Sequence, residues 1–338
     1  MSLGAFAIPG DLNLPTGGYG YDRAMLAALP ELELVHLTDL GLDPDNAALE
    51  RAARELAGTG PIVIDGLALG VLPAALLNSL NRPIIALCHH PLGLETGLAP
   101  DQATRLMESE RAALSACAAV ITTSERTGQI LRTQFDVNDP VVIEPGIALR
   151  PVAARGNTPP TLLTLASFTP RKGHDVLLGA LERVADLPWQ AVWAGAEPDE
   201  AWLNRIEEVI AASGLGARIT RRGPVSDKAR DEMLAGADLF VLPTHYEGYG
   251  MVFAEAMMAG LPILACAGGA VPDVVPGAAG HIVEPGDVVA LGDRLRALLT
   301  SQDQATRMAA AARAHALTLP SWSDQAALFA ATIKRIAQ

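Results

Sequence analysis

The sequence predicts an α/β protein built from two Rossmann-like doubly wound domains that face each other across a cleft. Its length of 338 residues is long for one hydrophobic core and suits two domains of about 150 residues each. Apolar runs typical of buried strands alternate with longer segments typical of helices. This βαβα order is the pattern of a parallel sheet with helices on both faces.

The first domain is assigned to residues 1–150. Each predicted strand is short and apolar, and a helical segment follows it before the next strand begins. Because parallel strands end at the same edge of a sheet, residues just beyond them are expected to form a ligand site. The predicted strands read GAFAIPG, ELELVHL, PIVIDG, PIIALCHH, AAVITTS and PVVIEPG.

A break in the alternation separates the two domains. Residues 148–160 read ALRPVAARGNTPP, which is rich in proline and small residues and typical of a linker or of the start of a new domain. The second domain is assigned to residues 151–319, and the tail over 286–338 is predicted to be mostly helical. The strands of this domain are predicted in TLLTLASF, WQAVWAG, ARITRRG, DLFVLPT, LPILACAG and HIVEPG.

The charge balance limits the partners of this protein. The formal net charge is −13, and residues 1–150 carry 18 acidic side chains against 9 arginines and no lysine. A nucleic-acid partner requires a basic face, so none is expected. The same balance argues against electrostatic attachment to anionic lipid.

The location is predicted to be cytoplasmic. Residues 1–18 lack the basic start and long apolar run of a signal peptide, and no segment is long and apolar enough to span a membrane. The three cysteines, Cys88, Cys117 and Cys266, are odd in number and widely spaced. They are interpreted as core thiols of a reducing compartment.

The strongest site signal is the stretch HYEGYGMVFAEAMMAGLP, residues 245–262. A buried strand precedes it, a glycine-bearing turn follows, and a helix then runs to Gly260. Gly248 and Gly250 let the backbone approach a ligand at the helix N-terminus, where free amides favour an anion. Glu255 lies about one turn into this apolar helix, where a carboxylate requires a partner.

Two interpretations of Glu255 follow from its position. An ionised carboxylate can accept two hydroxyl donors side by side, and the 2′,3′-diol of a ribose supplies such a pair. Alternatively, Glu255 pairs with an internal arginine or caps a backbone amide. Spacing alone leaves both interpretations open.

A second signal lies in SFTPRKGHDVLLGAL, residues 167–181. Arg171 and Lys172 follow a predicted strand and precede a helix. At the carboxyl edge of a sheet, a guanidinium and an ammonium would neutralise a diphosphate. The alternative is an ordinary solvated turn.

The stretch LPTGGYGYD, residues 14–22, places Gly17 and Gly18 after the first strand, as in a phosphate-cradling turn. The glycines do not match G-x-G-x-x-G, which leaves a dehydrogenase with little support. The sequence also lacks G-x-S-x-G and G-x-x-x-x-G-K-[ST], so serine hydrolysis and P-loop phosphoryl transfer are not supported.

Cys88, His89 and His90 are metal ligands by residue type. Neighbouring side chains on a strand point to opposite faces, however, so the three cannot easily converge on one ion and no metal site is expected. One histidine at the strand's carboxyl edge could contact a polar ligand. The alternative is a satisfied surface histidine.

Taken in this order, the stretches resemble the retaining glycosyltransferases of family 4, the glycosyl transferases group 1, which have the GT-B fold. EGYGMVFAEAMMAGLPILA resembles the family signature E-G-[FY]-G-x-x-x-x-E-A-M-A-x-G-x-P-V, and RKGHDVLLGAL resembles its KG-x-D-x-L-x-x-A element. TGGYGYD resembles the N-terminal glycine turn, and VVIEPGI resembles the segment that closes the first domain. Residues 321–322 resemble the start of the C-terminal helix, about 320–338, which crosses back to that domain. The resemblance spans nearly the whole chain and is most specific over residues 239–275.

The resemblance implies a role for each matching residue. Glu255 would bind the ribose, Glu247 the hydroxyls of the donor sugar, and Lys172 the pyrophosphate. His89 would contact the donor sugar, with His90 as the alternative. Further backbone contacts are implied for Gly248, Tyr249, Gly250 and Met251 with sugar and phosphate, for Gly17 and Gly18 with acceptor and phosphate, and for Gly223 and Val225 in RGPVS with the base.

One position departs from the family pattern. Many members carry a phosphate-binding arginine shortly before the lysine, and this sequence has Ala166 and Ser167 there. Arg171 is the candidate that would replace it.

The implied reaction transfers a hexose from a nucleoside-diphosphate sugar, such as a UDP or GDP sugar, to an acceptor hydroxyl with retention of configuration. Neither a metal nor a cofactor is expected. The implied partners are the nucleotide sugar and a glycan, lipid-linked or small-molecule acceptor, with peripheral contact to the inner face of the membrane. The alternatives are a nucleotide-sugar epimerase or a phosphorylase on the same architecture, or a non-catalytic nucleotide-sugar-binding subunit.

Overall fold

The computed structural model describes residues 3–95 and 97–337. Residues 1–2 of the N-terminal segment and residue 338 of the predicted C-terminal helix therefore lie outside the described residues. The chain divides into two compact units. The first comprises the described residues within 1–14, 18–146 and 320–338, and the second comprises 15–17 and 147–319.

The first unit is built on a parallel sheet of six strands among the described residues, in the order β2-β1-β3-β4-β5-β6. Helices follow the strands as the alternation predicts. The strands are β1 Gly4–Pro9, β2 Leu32–Leu37, β3 Ile62–Asp65, β4 Ile84–Cys88, β5 Ala119–Thr122 and β6 Val141–Val142, and the helices are α1 Gly17–Ala28, α2 Asn46–Glu55, α3 Gly66–Leu69, α4 Ala74–Ser79, α5 Pro100–Ser115 and α6 Glu125–Gln134.

The second unit holds another six-stranded parallel sheet within the described residues, in the order β12-β11-β10-β7-β8-β9. The chain starts at the central strand β7, builds one half outward, and then returns to build the other half. The strands are β7 Thr161–Leu165, β8 Gln190–Ala194, β9 Ile219–Arg222, β10 Leu239–Leu242, β11 Ile263–Cys266 and β12 Gly280–Val283, and the helices are α7 His174–Glu182, α8 Glu200–Ser213, α9 Asp227–Ala235, α10 Met251–Met258, α11 Val271–Val274, α12 Val288–Thr300 and α13 Gln302–Ala316.

A last helix, α14 Trp322–Ile336, belongs to the first unit. Ser321 and Asp324 form a reciprocal capping box at its start, which satisfies two backbone amides. The helix packs through Phe329, whose ring centroid lies 6.0 Å from that of Phe6 in β1. Trp322 contacts Tyr21 edge to face at 5.7 Å.

Period-two alternation divides the second sheet between two hydrophobic cores. In β10, Phe240 and Leu242 pack on one face, whereas Leu239 and Val241 pack on the other. Residues from helices cover each face, so the strands are buried throughout. The proline-rich stretch where the alternation breaks packs on the second unit. There, Ala153 donates its amide to the carbonyl of Ala259 at 2.8 Å. Residues 148–160 are therefore the start of the second unit.

Candidate active site

The loops that leave β7 and β10 carry the strongest sequence signals. These strands are neighbours in the second sheet, and the connections after them leave in opposite directions along the strand order. Such a reversal opens a crevice at the carboxyl edge of a parallel sheet, where ligands of these folds bind. Arg171 and Lys172 follow β7, and Glu247 follows β10.

Arg171, Lys172 and Glu247 form what we call the cationic cluster. Lys172 Nζ donates to Glu247 Oε1 at 2.6 Å. Arg171 donates to the carbonyl of Tyr246 at 2.9 Å, and its Nη1 lies 3.9 Å from Glu247 Oε2. The two basic residues lie in a 3₁₀ turn, Pro170–Lys172, and the following Gly173 has a φ of 68°. In this turn the adjacent side chains converge on one carboxylate, as they could not on a strand.

Electrostatics in this cluster favour the ionised form of Glu247. Burial opposes the charge on Glu247, but the nearby Lys172 and Arg171 outweigh it and hold the pKa of this carboxyl below its usual range. Two cations therefore share one anion. The cluster carries a formal excess of one positive charge at a crevice edge, which suits an anionic ligand.

A glycine that was not predicted as a site residue packs against the backbone of Glu247. Gly269 has a φ of 61°, and a Cβ at this position would overlap the backbone of Glu247. Ala270 donates its amide to the carbonyl of Glu247 at 2.9 Å. The signal was the stretch CAGGAV, whose two glycines follow β11 at the same sheet edge.

The helix after Glu247 begins as its sequence predicts. Gly250 caps α10 with a φ of 94°, in the left-handed region that glycine adopts without strain. Tyr249 is buried, and the amides of Gly248 to Met251 lie at the start of the helix. Gly260 ends the helix with a φ of 74°, which confirms the predicted stop.

Glu255 lies inside α10 and is ion-paired. Its Oε1 accepts from Arg150 Nη2 at 2.8 Å and lies 3.5 Å from Arg230 Nη2. Arg150 also pairs with Asp231. Of the two interpretations of this carboxylate, the arginine pair is the one present in the structure. Arg150 and Arg230 were not predicted as site residues, because neither stands in a recognisable pattern.

The loop predicted to contact a base follows β9 and precedes α9. Gly223 and Val225 lie in this connection, and Ser226 caps α9 by accepting from the amide of Ala229. Val225 packs against the core of the second unit. The structure therefore places this loop at the carboxyl edge of the same sheet.

Gly17 and Gly18 take a different conformation from the predicted turn. They are the first two residues of α1, and neither has a positive φ. The physical use of Gly18 is close approach, because a Cβ there would lie 3.3 Å from Cδ2 of His89. At Gly17 a Cβ would meet open space.

Asp22, Asp65 and His89 form what we call the histidine cluster of the first unit. His89 follows β4, Asp65 ends β3, and Asp22 lies in α1. His89 Nε2 is 3.1 Å from Asp22 Oδ1 and 3.3 Å from Asp65 Oδ2. Both carboxylates are buried, at 0% and 1% exposure, whereas the histidine side chain is 20% exposed.

The two carboxylates control the protonation of His89. Burial by itself lowers the pKa of this imidazole, but Asp22 and Asp65 reverse the effect and raise it to about 10. Burial raises the pKa of Asp22 to about 6, although His89 favours its ionised form. Near neutral pH, therefore, His89 is an imidazolium whose Nε2–H donates to Asp22, and Asp65 is a second anion beside the same nitrogen.

The ligand-type atoms of this cluster lie within 4.8 Å of one another, so a cation could in principle bridge them. Both near contacts of the carboxylates are at hydrogen-bond distance from one nitrogen, which favours a proton in that position. Cys88 does not join the cluster: its Sγ lies 4.0 Å from Glu110 Oε1. This divergence is the one expected for neighbours on a strand.

Sequence reasoning found His89 but missed both of its partners. Asp65 follows the apolar run PIVI at the predicted sheet edge, so a usable signal was present. Asp22 lies inside a helix, where an acidic residue usually faces solvent. Only its spacing, four residues after Gly18 and three before the buried Met25, places it on the inner face.

In the described part of the chain, no helix is long and apolar enough to cross a membrane.

Comparison with known proteins gives consistent matches. The family described as glycosyl transferases group 1 matches residues 148–315. A D-inositol 3-phosphate glycosyltransferase of Xylanimonas cellulosilytica is 28% identical over 253 residues, which cover 69% of this chain and 60% of that protein. An MMP alpha-(1->4)-mannosyltransferase of Mycolicibacterium hassiacum is 28% identical over 300 residues, covering 82% and 72%. This chain thus spans about three fifths of the length of the first relative.

Solved structures support the fold. A sucrose-phosphate synthase from Thermosynechococcus elongatus superposes with a TM-score of 0.84 at 21% identity, over 98% of each chain. At this identity the likeness concerns the fold alone. Together with the two six-stranded parallel sheets, it confirms the predicted fold class of two doubly wound α/β domains.

Proposed function

Because the chain belongs to the glycosyl transferases group 1 family, we propose that it transfers a hexose from a nucleoside-diphosphate sugar to an acceptor hydroxyl, with retention of configuration and without a metal. The observation that carries this proposal is the cationic cluster. Lys172 and Arg171 converge on Glu247 at the carboxyl edge of a sheet, and the three side chains together carry one excess positive charge.

The chemistry requires stabilisation of a leaving diphosphate. The bond between the anomeric carbon and the phosphate oxygen breaks, and a bond from the same carbon to the acceptor oxygen forms on the same face. The acceptor proton passes to the departing phosphate oxygen. Lys172 and the amides at the start of α10 stabilise the negative charge that develops on the diphosphate.

Arg171 supplies the second phosphate contact in this proposal. The family arginine is replaced by Ser167, whereas the guanidinium of Arg171 lies on the same carboxylate as Lys172. A guanidinium presents five donors in a planar fork, a geometry that suits phosphate oxygens.

Glu247 and Glu255 read hydroxyl groups. Glu247 is fixed by Lys172 and accepts from the donor sugar. Glu255 accepts from the ribose diol and shares its charge with Arg150. His89 of the first unit donates to a substrate hydroxyl, and Gly17 and Gly18 leave room for the acceptor at the start of α1.

No metal is required in this scheme, because the two basic residues and the helix amides neutralise the diphosphate. The protein is proposed to work in the cytoplasm, with an acceptor that is a glycan, a small polyol or a lipid-linked molecule. The relatives named for D-inositol 3-phosphate and for mannosyl transfer suggest the first acceptor and donor to test.

A donor panel tests the proposal directly. UDP, GDP, ADP and TDP are first ranked by thermal shift, and the matching nucleotide sugars are then incubated with D-inositol 3-phosphate and simple glycosides. We expect nucleotide release that depends on the acceptor, an α-configured product by proton NMR, and equal rates with and without EDTA.

The alternatives give different results. An epimerase would convert the sugar without net release of nucleotide. A non-catalytic subunit would bind a nucleotide in the thermal-shift panel and turn over none of the donors. Pyridoxal absorbance would indicate a phosphorylase of the usual type. Any of these results overturns the proposed transfer.

A further inference from the structure

The buried carboxylates of the first unit all lie around one loop, the one that follows β4. Among the described residues of this unit, the buried acidic side chains are Asp22, Asp65 and Glu110. Asp22 and Asp65 contact His89. Glu110 accepts from the amide of Leu92 at 2.8 Å, three residues further along. Burial of a carboxylate is costly, so three of them around one loop require an explanation.

The explanation starts with the loop itself. It leaves β4 at Cys88, carries His89, and enters a short 3₁₀ turn at Leu92. Gly93 packs so tightly on α5 that a Cβ there would overlap Met107. Glu110, on α5, holds the start of the 3₁₀ turn through the Leu92 amide. The segment after His89 is therefore fixed to a rigid helix.

The imidazole ring is fixed independently. Its Nε2 lies between two carboxylates, its Cδ2 edge lies against Gly18, and Tyr21 contacts it edge to face at 5.3 Å. Tyr21 is itself held, because its hydroxyl donates to the carbonyl of Ile143 at 3.1 Å. A ring with this many fixed contacts has one orientation.

We propose that Asp22, Asp65 and Glu110 are positioning residues that hold His89 as a fixed imidazolium, so that it acts only as a hydrogen-bond donor. With Nε2 committed to the carboxylates, Nδ1–H is the donor that remains for a substrate hydroxyl. The substrate contact rests on the proposed function, whereas the anchoring of the ring does not.

The charged and titratable neighbours of the ring are consistent with this assignment. Asp22 and Tyr21 of α1 and Asp65 at the end of β3 act on the ring directly. Tyr19 and Arg23 interact with those carboxylates. Arg23 offsets part of the negative charge on Asp22. Two carboxylates thus dominate the surroundings of His89, and they exclude a lone pair on Nε2 that would face them.

This role differs from general-base catalysis. A base must be neutral before it accepts a proton, and His89 between two carboxylates is already protonated near neutral pH. His89 therefore acts as a hydrogen-bond donor whose N–H points in one fixed direction. Loss of either carboxylate should lower the pKa of the imidazole and allow the ring several orientations.

Histidine-selective NMR tests the anchoring without any reference to turnover. In full-length protein labelled with ¹⁵N-histidine, His89 is assigned by loss of its signal in His89→Gln. We expect its titration midpoint near 10 in the parent protein. In Asp22→Asn the midpoint should fall by about 1 pH unit or more, because one opposite charge is removed. Asp43→Asn, which alters an exposed loop residue, is the matched control.

Two further variants guard against a folding defect. Asp65→Asn keeps an oxygen for the Leu67 amide that Asp65 caps, and it should also lower the His89 midpoint. Glu110→Gln keeps one acceptor for Leu92, and it should leave the midpoint in place but broaden the His89 signal. If the titration midpoint of His89 is unchanged in both Asp22→Asn and Asp65→Asn, the proposal is wrong.

Turnover separates this inference from the proposed function. With an active donor, Asp22→Asn should lower kcat roughly 10-fold at pH 8 and leave KM for the donor within about 2-fold. If no donor is turned over but the midpoint falls, the anchoring stands and the transferase proposal fails. If the high midpoint appears only after EDTA treatment and Zn²⁺ abolishes it again, the cluster holds a metal and the proposal is wrong.

Discussion

The two polar clusters are opposites in charge. The histidine cluster has one cation between two carboxylates, whereas the cationic cluster has one carboxylate between two cations. Each lies at the carboxyl edge of a doubly wound sheet, beside the point where the strand order reverses. The same fold thus supplies two sites whose formal net charges are −1 and +1.

This difference teaches what each cluster can bind. An excess positive charge in a partly buried setting attracts a diphosphate. An excess negative charge repels it, so the histidine cluster suits neutral hydroxyl groups. Burial disfavours the charged form of the central group in both clusters, but the two neighbouring opposite charges outweigh it. They lower the pKa of Glu247 and raise the pKa of His89.

The largest effect is expected at Lys172. Lys172→Met removes a cation from the leaving diphosphate and leaves Arg171 as the remaining cation beside Glu247. We expect kcat to fall roughly 100- to 1,000-fold, measured as nucleotide release. Lys228→Met is the control, because Lys228 is 88% exposed.

A double variant identifies what Lys172 does. If it mainly neutralises Glu247, Lys172→Met/Glu247→Gln should regain most of the activity. If it binds phosphate, the double variant should be no better than Lys172→Met. Full activity in Lys172→Met would break the comparison of the two clusters, since the excess positive charge would then have no function.

Glu255→Gln is expected to have the next largest effect. The substitution keeps the shape but removes the charge that two ribose hydroxyls would contact. At about 1.5–3 kcal/mol for a charged hydrogen bond, binding of the preferred nucleoside diphosphate should weaken roughly 10- to 100-fold by calorimetry.

Asp231→Asn is the matched control for Glu255. Asp231 is the other partner of Arg150, so this variant disturbs the same arginine without touching the carboxylate in α10. It should bind the nucleotide normally. If both variants weaken binding equally, Glu255 acts through Arg150 and does not read the ribose.

Sequence patterns predicted the fold well because period and alternation are local properties. The apolar runs of β7, β10 and β11 identify them as buried parallel strands, and Gly260 marks the end of α10. The residues at the carboxyl edges of the two sheets were also predicted, since they lie in the loops that follow strands. Lys172, Glu247 and His89 all fit this rule.

The partners of those residues were harder to predict, because they come from distant parts of the chain. Asp22 reaches His89 across 67 positions, and Arg150 reaches Glu255 across 105. No local spacing encodes either pair. The predicted turn at Gly17 and Gly18 was also wrong. The two glycines begin a helix, and Gly18 lets that helix pack closely against His89.

Acid should affect the two units in opposite directions. In the second unit, burial lowers the pKa of His174 to about 3, and Lys172 adds to this shift. The folded state then binds fewer protons than the unfolded state, so stability is complete above about pH 6.5 and declines below it. In the first unit, burial raises the pKa of Glu110 to about 8, so acid relieves the cost of its charge.

Urea unfolding followed by peptide-level hydrogen exchange can measure both units separately. Between pH 8 and pH 5 the second unit should lose about 2 kcal/mol through His174. His174→Phe should remove this loss, because it keeps the aromatic stack on Phe168, at 4.5 Å, but cannot titrate. Equal acid dependence of the two units would contradict the assigned difference.

The smallest effect is expected at Gly18. A Cβ there would lie 3.3 Å from Cδ2 of His89, so Gly18→Ala should displace the ring by a few tenths of an ångström and lengthen its contacts with Asp22 and Asp65. We expect kcat to fall about 3-fold without loss of nucleotide binding. Stability should not fall, because alanine favours the helix by about 1 kcal/mol. Gly41→Ala, whose Cβ would meet open space, is the control. If Gly18→Ala leaves both kcat and the His89 titration unchanged, the ring has more freedom than its contacts indicate, and the histidine cluster is less rigid than the cationic one.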